Sequence, residues 1–187
     1  MTTTTRTQAN GPARAALTAA TRKEQALWLL EKLVPSGAVN NLSLVFSTNE
    51  PLGEWELQQT LDALLARHES LRTVFHDADG ALVKQTVGAD RFAVPVDTRP
   101  TDDGGAEAAV AQLVARPFAF DGRPLVRAGH FQGPDGDVFC LVVHHIVFDT
   151  VSAEILLTEF TRVYEAVAAG LAVPDDLSEP RPALNSS

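Results

Sequence analysis

Six apolar residues follow one another without a break at Val138-Phe139-Cys140-Leu141-Val142-Val143. The run is short enough for a strand buried on both faces. Upstream, Leu57, Leu61, Leu64, Leu65 and His68 recur at helical spacing after Pro51, which predicts an amphipathic helix. Thr21 is placed to cap an earlier helix through about Val34, with Leu27, Leu30 and Val34 on one face, Trp28 beside them and Pro35-Ser36-Gly37 as its stop. Residues 42–48 read as a strand. Residues 71–76 and 81–87 read as a hairpin around Asp79-Gly80, which puts Arg72 on a strand. A further strand is expected over 92–97, and a short alanine-rich helix over 106–115 ahead of Pro117. Strands over 126–131 and 137–143 flank Gly133-Pro134-Asp135-Gly136, a tight polar connection that favours antiparallel pairing. Val151, Ile155, Phe160, Val163 and Val167 mark a long amphipathic helix that Gly170 ends. Strands interleaved with helices predict an α/β fold with helices packed on a mixed β-sheet.

The 187 residues suffice for one ordinary core, and no shift in composition divides them. The polar start, 1–16, reads as a flexible N-terminal arm and 173–187, rich in proline and acid, as a flexible tail, with one folded unit over 17–172. A net charge of -9 offers no basic excess for a phosphate backbone, so nucleic acid is not an expected partner. No apolar run approaches the roughly 20 residues that span a bilayer, and the threonine-rich start lacks a signal peptide's apolar core, so no membrane partner and a cytoplasmic location are expected. The lone Cys140 lies inside the apolar run and reads as a small buried hydrophobe.

The apolar run ends on His144-His145-Ile146-Val147-Phe148-Asp149-Thr150, two imidazoles and a carboxylate where a strand enters a helix. Successive strand side chains point to opposite faces, so only one of the two histidines can face a given cavity, and the pair is no bidentate metal grip. No metal cluster, phosphate-binding glycine loop or nucleophile elbow is present. Ser152, His145 and Asp149 crowd into eight positions and match no such elbow. His76 and His130 lie outside any motif and read as surface or strand residues.

A second stretch, Arg67-His68-Glu69-Ser70-Leu71-Arg72-Thr73-Val74-Phe75, joins the first. Together they resemble the condensation-domain superfamily of nonribosomal peptide synthetases, whose patterns HHxxxDG and RHExLRTxF occur in this order. The second is complete here, and the first lacks only its glycine, replaced by Thr150. Thr21 to Leu30 is similar to the family's opening SxAQxRLWxL, with Leu27, Trp28 and Leu30 matching outright. Asn41, Pro117-Phe118 and Pro124-Leu125-Val126-Arg127 add to the likeness.

The resemblance implies a chloramphenicol acetyltransferase-like lobe, the N-terminal half of a condensation domain. That domain forms an amide between a carrier-protein-bound acyl or aminoacyl thioester and an acceptor amine. It implies His145 as the catalytic residue, either a general base or a hydrogen-bond partner that positions the amine and stabilises the intermediate. His144 then supports the loop. Asp149 forms an architectural ion pair, with Arg72 ahead of Arg67 as its partner, and also suits the start of a helix as a cap. His68 and Glu69 read as helix-end and packing residues, and Thr150 as a side chain bordering the substrate channel. No cofactor would bind directly, since the 4'-phosphopantetheine belongs to the carrier proteins. The partners implied are those carriers and a C-terminal lobe, or a second copy through self-association. The family's later motifs do not occur in the chain. Two other readings are a non-catalytic interaction module of the same fold and a stand-alone acyltransferase acting on a free alcohol or amine.

Overall fold

The computed structural model describes residues 17–34, 38–102, 104–148 and 150–174. The expected arm over 1–16 and all but the first two residues of the expected tail lie outside the described residues. In chain order the elements are β1 (Thr18–Ala19), α1 (Arg22–Leu33), β2 (Asn41–Thr48), α2 (Glu54–Arg67), β3 (Thr73–Ala78), β4 (Ala81–Thr86), β5 (Val96–Pro100), α3 (Gly105–Ala115), β6 (Val126–Gly133), β7 (Gly136–His144) and α4 (Thr150–Ala168).

The principal sheet has the order β2-β7-β6-β5, with β2, β7 and β6 antiparallel and β5 parallel to β6. The apolar run is its centre. Phe139, Leu141 and Val143 pack with Leu57, Leu61 and Leu64 of α2 and Phe160 and Val163 of α4. Cys140 and Val142 point the other way, with Phe131, beneath Ala109, Val110 and Leu113 of α3. The sheet is therefore sandwiched between α2 and α4 on one face and α3 on the other, which is why its central strand can be apolar throughout. A stack of Phe46 on Phe160 (centroids 4.2 Å) and Phe160 on Phe139 (5.0 Å) joins the sheet to α4. Gly129 lets α3 approach closely, because a Cβ there would stand 2.9 Å from a Leu113 methyl.

A second sheet, β1-β4-β3, was not anticipated as separate. Its hairpin turns on Asp79 and Gly80, both at positive φ (51° and 87°), as the dipeptide suggested. Helix α1 starts as expected, with a reciprocal capping box between Thr21 and Glu24.

Four expectations need correction. In α1 the indole of Trp28, not the line of Leu27, Leu30 and Val34, provides the buried contact, and Leu30 is 46% exposed. In α4 Phe160, Val163 and Val167 are buried as expected, but Leu156 is buried in place of Ile155, which is 48% exposed. The strand expected over 92–97 begins only at Val96, because Pro95 has no N–H to enter the ladder and 89–91 form a 3₁₀ turn. Arg72 closes a 3₁₀ turn, Glu69–Arg72, before β3 rather than lying on the strand.

Candidate active site

Strand β7 ends at His144, and a turn through Phe148 leads into α4. The His145 N–H donates to the Asn40 carbonyl (2.8 Å) and the Val147 N–H to the His144 carbonyl (3.1 Å). Ile146, Val147 and Phe148 bury their side chains and anchor the turn in the core.

The two imidazoles have opposite surroundings. His144 is fully buried, with the rings of Phe118 and Phe120 edge-on at 6.1 and 5.3 Å between centroids. Its Nδ1 accepts the Ile146 N–H at 3.1 Å. Burial holds its pKa below the usual 6.5, with Glu31 opposing and His145 and Arg127 adding to the depression. His145 is only half-buried, and its Nδ1 lies 2.8 Å from the Phe148 carbonyl. A carbonyl only accepts, so Nδ1 carries a proton, and in the neutral ring Nε2 then keeps its lone pair.

The depressed His144 pKa has a consequence for stability. The unfolded chain takes up this proton near pH 6.5, whereas the folded chain resists it until lower pH. Stability therefore falls as pH drops below 6.5, by up to about 1.4 kcal/mol per pH unit from this group. Urea unfolding at about pH 7 and about pH 5.5 should show the loss, and His144→Gln should flatten it.

The second motif forms a clamp. Arg67 Nε donates to Glu159 Oε1 (3.1 Å), and His68 Nε2 bonds the other oxygen of the same carboxylate. Glu159 is buried on α4, so the end of α2 is tied to the helix that follows the histidine turn. Buried Arg72 caps the other side of that junction, donating to the carbonyls of Leu65 (2.8 Å), Val87 and Ala66 (3.5 Å). Asp149, its expected partner, lies outside the described residues, and Thr150 begins α4. Glu69 is exposed. Asn41 and Arg127 donate to carbonyls at the end of α3: Asn41 to Val114 and Arg116, Arg127 to Arg116 and Pro117.

Sequence reasoning missed two inward-facing acids, Glu31 and Glu159. A signal existed for the second: Leu156, Glu159, Phe160 and Val163 share one helical phase, so a carboxylate stands in an apolar stripe. Of the two readings for His130, surface or strand, the strand one holds: it is fully buried on β6, and its Nε2 lies 2.8 Å from Asp137 Oδ2. That carboxylate oxygen also accepts the Leu52 N–H (2.8 Å), so the pair braces the loop before α2, on the far end of β7 from His145. Burial raises the Cys140 pKa to about 11, which removes it as a nucleophile.

A cleft of about 790 Å³ runs along β5, the start of β6 and residues 116–124, past Val94, Val96, Phe118 and Arg127. His145 is not in its wall. The site therefore has a half-buried imidazole held at Nδ1, an arrangement that leaves Nε2 to take or share a proton of a group brought against it.

The family model for the condensation domain matches residues 17–180. A component of the linear gramicidin synthase of Brevibacillus parabrevis is 34% identical over 158 residues, which are 81% of this chain and 3% of that protein. Phosphinothricin tripeptide synthetase of Streptomyces viridochromogenes is 35% identical over 152 residues, 77% of this chain and 14% of that one. Among solved structures, the first condensation domain of the calcium-dependent antibiotic synthetase, with a substrate analogue, superposes at a TM-score of 0.70 and 26% identity, covering 87% of this chain and 40% of that one. The starter condensation domain of rhizomide synthetase gives 0.73 with the same coverage, at an 18% identity that speaks to fold alone. The chain thus spans about 40% of the solved condensation domains and a small fraction of the curated synthetases.

Proposed function

Because this chain belongs to the condensation-domain family of nonribosomal peptide synthetases, we propose that it is the N-terminal lobe of a condensation site in which His145 assists amide formation between a carrier-bound thioester and an acceptor amine. The observation that carries this reading is the tethered His145 ring, with Nδ1–H on the Phe148 carbonyl and the basic Nε2 left for the substrates. Amide formation requires an amine freed of one proton as it attacks the thioester carbon, with the thiolate as leaving group. A neutral imidazole can accept that proton or hold the amine by its N–H. The 4'-phosphopantetheine arm enters as part of the substrate, on its carrier protein. Asp149 and Arg72 are architectural in this reading, Arg67 braces α4, and Thr150 borders the channel.

Since these 187 residues span about 40% of the solved domains, the opposite wall of such a site is not formed by them alone. A C-terminal lobe, or a second copy of this chain, is the partner that would supply it. Sedimentation equilibrium with and without a separately produced remainder of a condensation domain tests this reading, and the expected result is a heterodimer or a concentration-dependent homodimer. A strictly monomeric chain that ignores every such partner would contradict it. Thr150, in place of the motif glycine, favours a second reading, a non-catalytic interaction module of the same fold. Association without turnover would select that one.

A further inference from the structure

The first histidine of the pair has a largely buried partner that no motif contains. Glu31 Oε2 lies 3.6 Å from His144 Nε2, and it accepts a hydrogen bond from Asn40 Nδ2 at 2.5 Å. Both His144 Nε2 and Glu31 Oε1 are buried and otherwise without a hydrogen-bond partner. The same Asn40 offers its carbonyl to the His145 N–H. A chain of contacts therefore runs from α1 through Asn40 and His144 to the turn that carries His145.

We propose that Glu31 is a positioning residue of this site, holding His144 as the Nε2–H tautomer and, through Asn40, fixing the turn that directs His145 Nε2 outward. The inference rests on the reading of His145 as the working imidazole. The tautomer follows from the partners. Since Nδ1 accepts the Ile146 N–H, the single proton of a neutral His144 sits on Nε2, facing an acceptor-only carboxylate. The opposite tautomer would set two N–H groups against each other at Nδ1 and a lone pair against Glu31. A charged ring would meet the same clash at Nδ1. The charged and titratable groups that act on this ring are Glu31 from α1, His145 in the turn and Arg127 from β6. Adjacent histidines are thus set in opposite tautomers, His144 as Nε2–H and His145 as Nδ1–H, each by a group outside the pair.

Nitrogen-15 imidazole spectra of the full chain read both tautomers directly. In the wild type near pH 7, His144 should show a protonated, exchange-protected Nε2, and His145 a protonated Nδ1. In Glu31→Gln the His144 Nε2–H should exchange at least about tenfold faster, as expected for loss of the carboxylate charge that faces it at 3.6 Å. His145 should then populate both tautomers. Glu31→Asp, which keeps the charge but shortens the reach, should fall between the two. Finding His144 charged or protonated at Nδ1 in the wild type would overturn the proposal, and so would a folded Glu31→Gln with both rings unchanged. Should both variants fail to fold, the wild-type tautomers decide alone. A His145 that proves dispensable for amide formation would overturn the functional reading and leave these spectra as they are, so the two failures are distinguishable.

Discussion

Replacing His145 with alanine in an assembled condensation domain is expected to lower product formation by about 10²–10⁴-fold, the range for loss of a positioned acid–base group. The ring is only half-buried, and the turn beneath it is anchored by Ile146, Val147 and Phe148, so the urea midpoint should barely move. Changing His144 to alanine should do the reverse at first. It empties a space between Phe118 and Phe120 and strips Ile146 N–H of its acceptor, so the midpoint should fall, and activity with it. Single-turnover rates beside unfolding curves for the two variants separate these effects. Equal loss of rate in both, with neither destabilised, would mean that both imidazoles touch substrate.

Strand β7 and its double burial were legible because an unbroken apolar run leaves few alternatives, and the Asp79-Gly80 hairpin because both residues tolerate positive φ. His144 is buried as the last residue of β7, and His145 is more exposed because the chain there leaves the sheet, which is buried on both faces, and enters the turn. What escaped was decided by tertiary contact. The indole of Trp28 displaced the leucine face that periodicity favoured in α1, and Pro95 delayed β5. The guanidinium of Arg72 also donates to the carbonyls that end α2 and β4, a demand visible only once those ends meet, while its expected partner Asp149 lies outside the described residues. Glu31 and Glu159 were passed over because carboxylates on amphipathic helices usually face water, and only the packing of α1 and α4 shows them turned inward.

Tested by themselves, these 187 residues are expected to form no amide at an appreciable rate. Condensation gains chiefly from holding thioester and amine together, and well-oriented reactants draw about 7–11 kcal/mol of barrier lowering from that alone. A single lobe with His145 on an open wall forfeits much of it, and no pKa adjustment of one imidazole is large enough to compensate. Binding to either carrier protein should survive in weakened form, because docking needs surface rather than a closed tunnel.

The central claim, that this chain is one half of a condensation site built around His145, is tested most directly by mass-spectrometric detection of the amide product. A donor-loaded and an acceptor-loaded carrier protein are supplied to the chain alone, to the chain with the complementary remainder of a condensation domain, and to the same mixture carrying His145→Ala. Product should appear in the second sample and be lost from the first and third. Equal product from the chain alone at concentrations where it is monomeric, or undiminished product with His145→Ala, would contradict the claim.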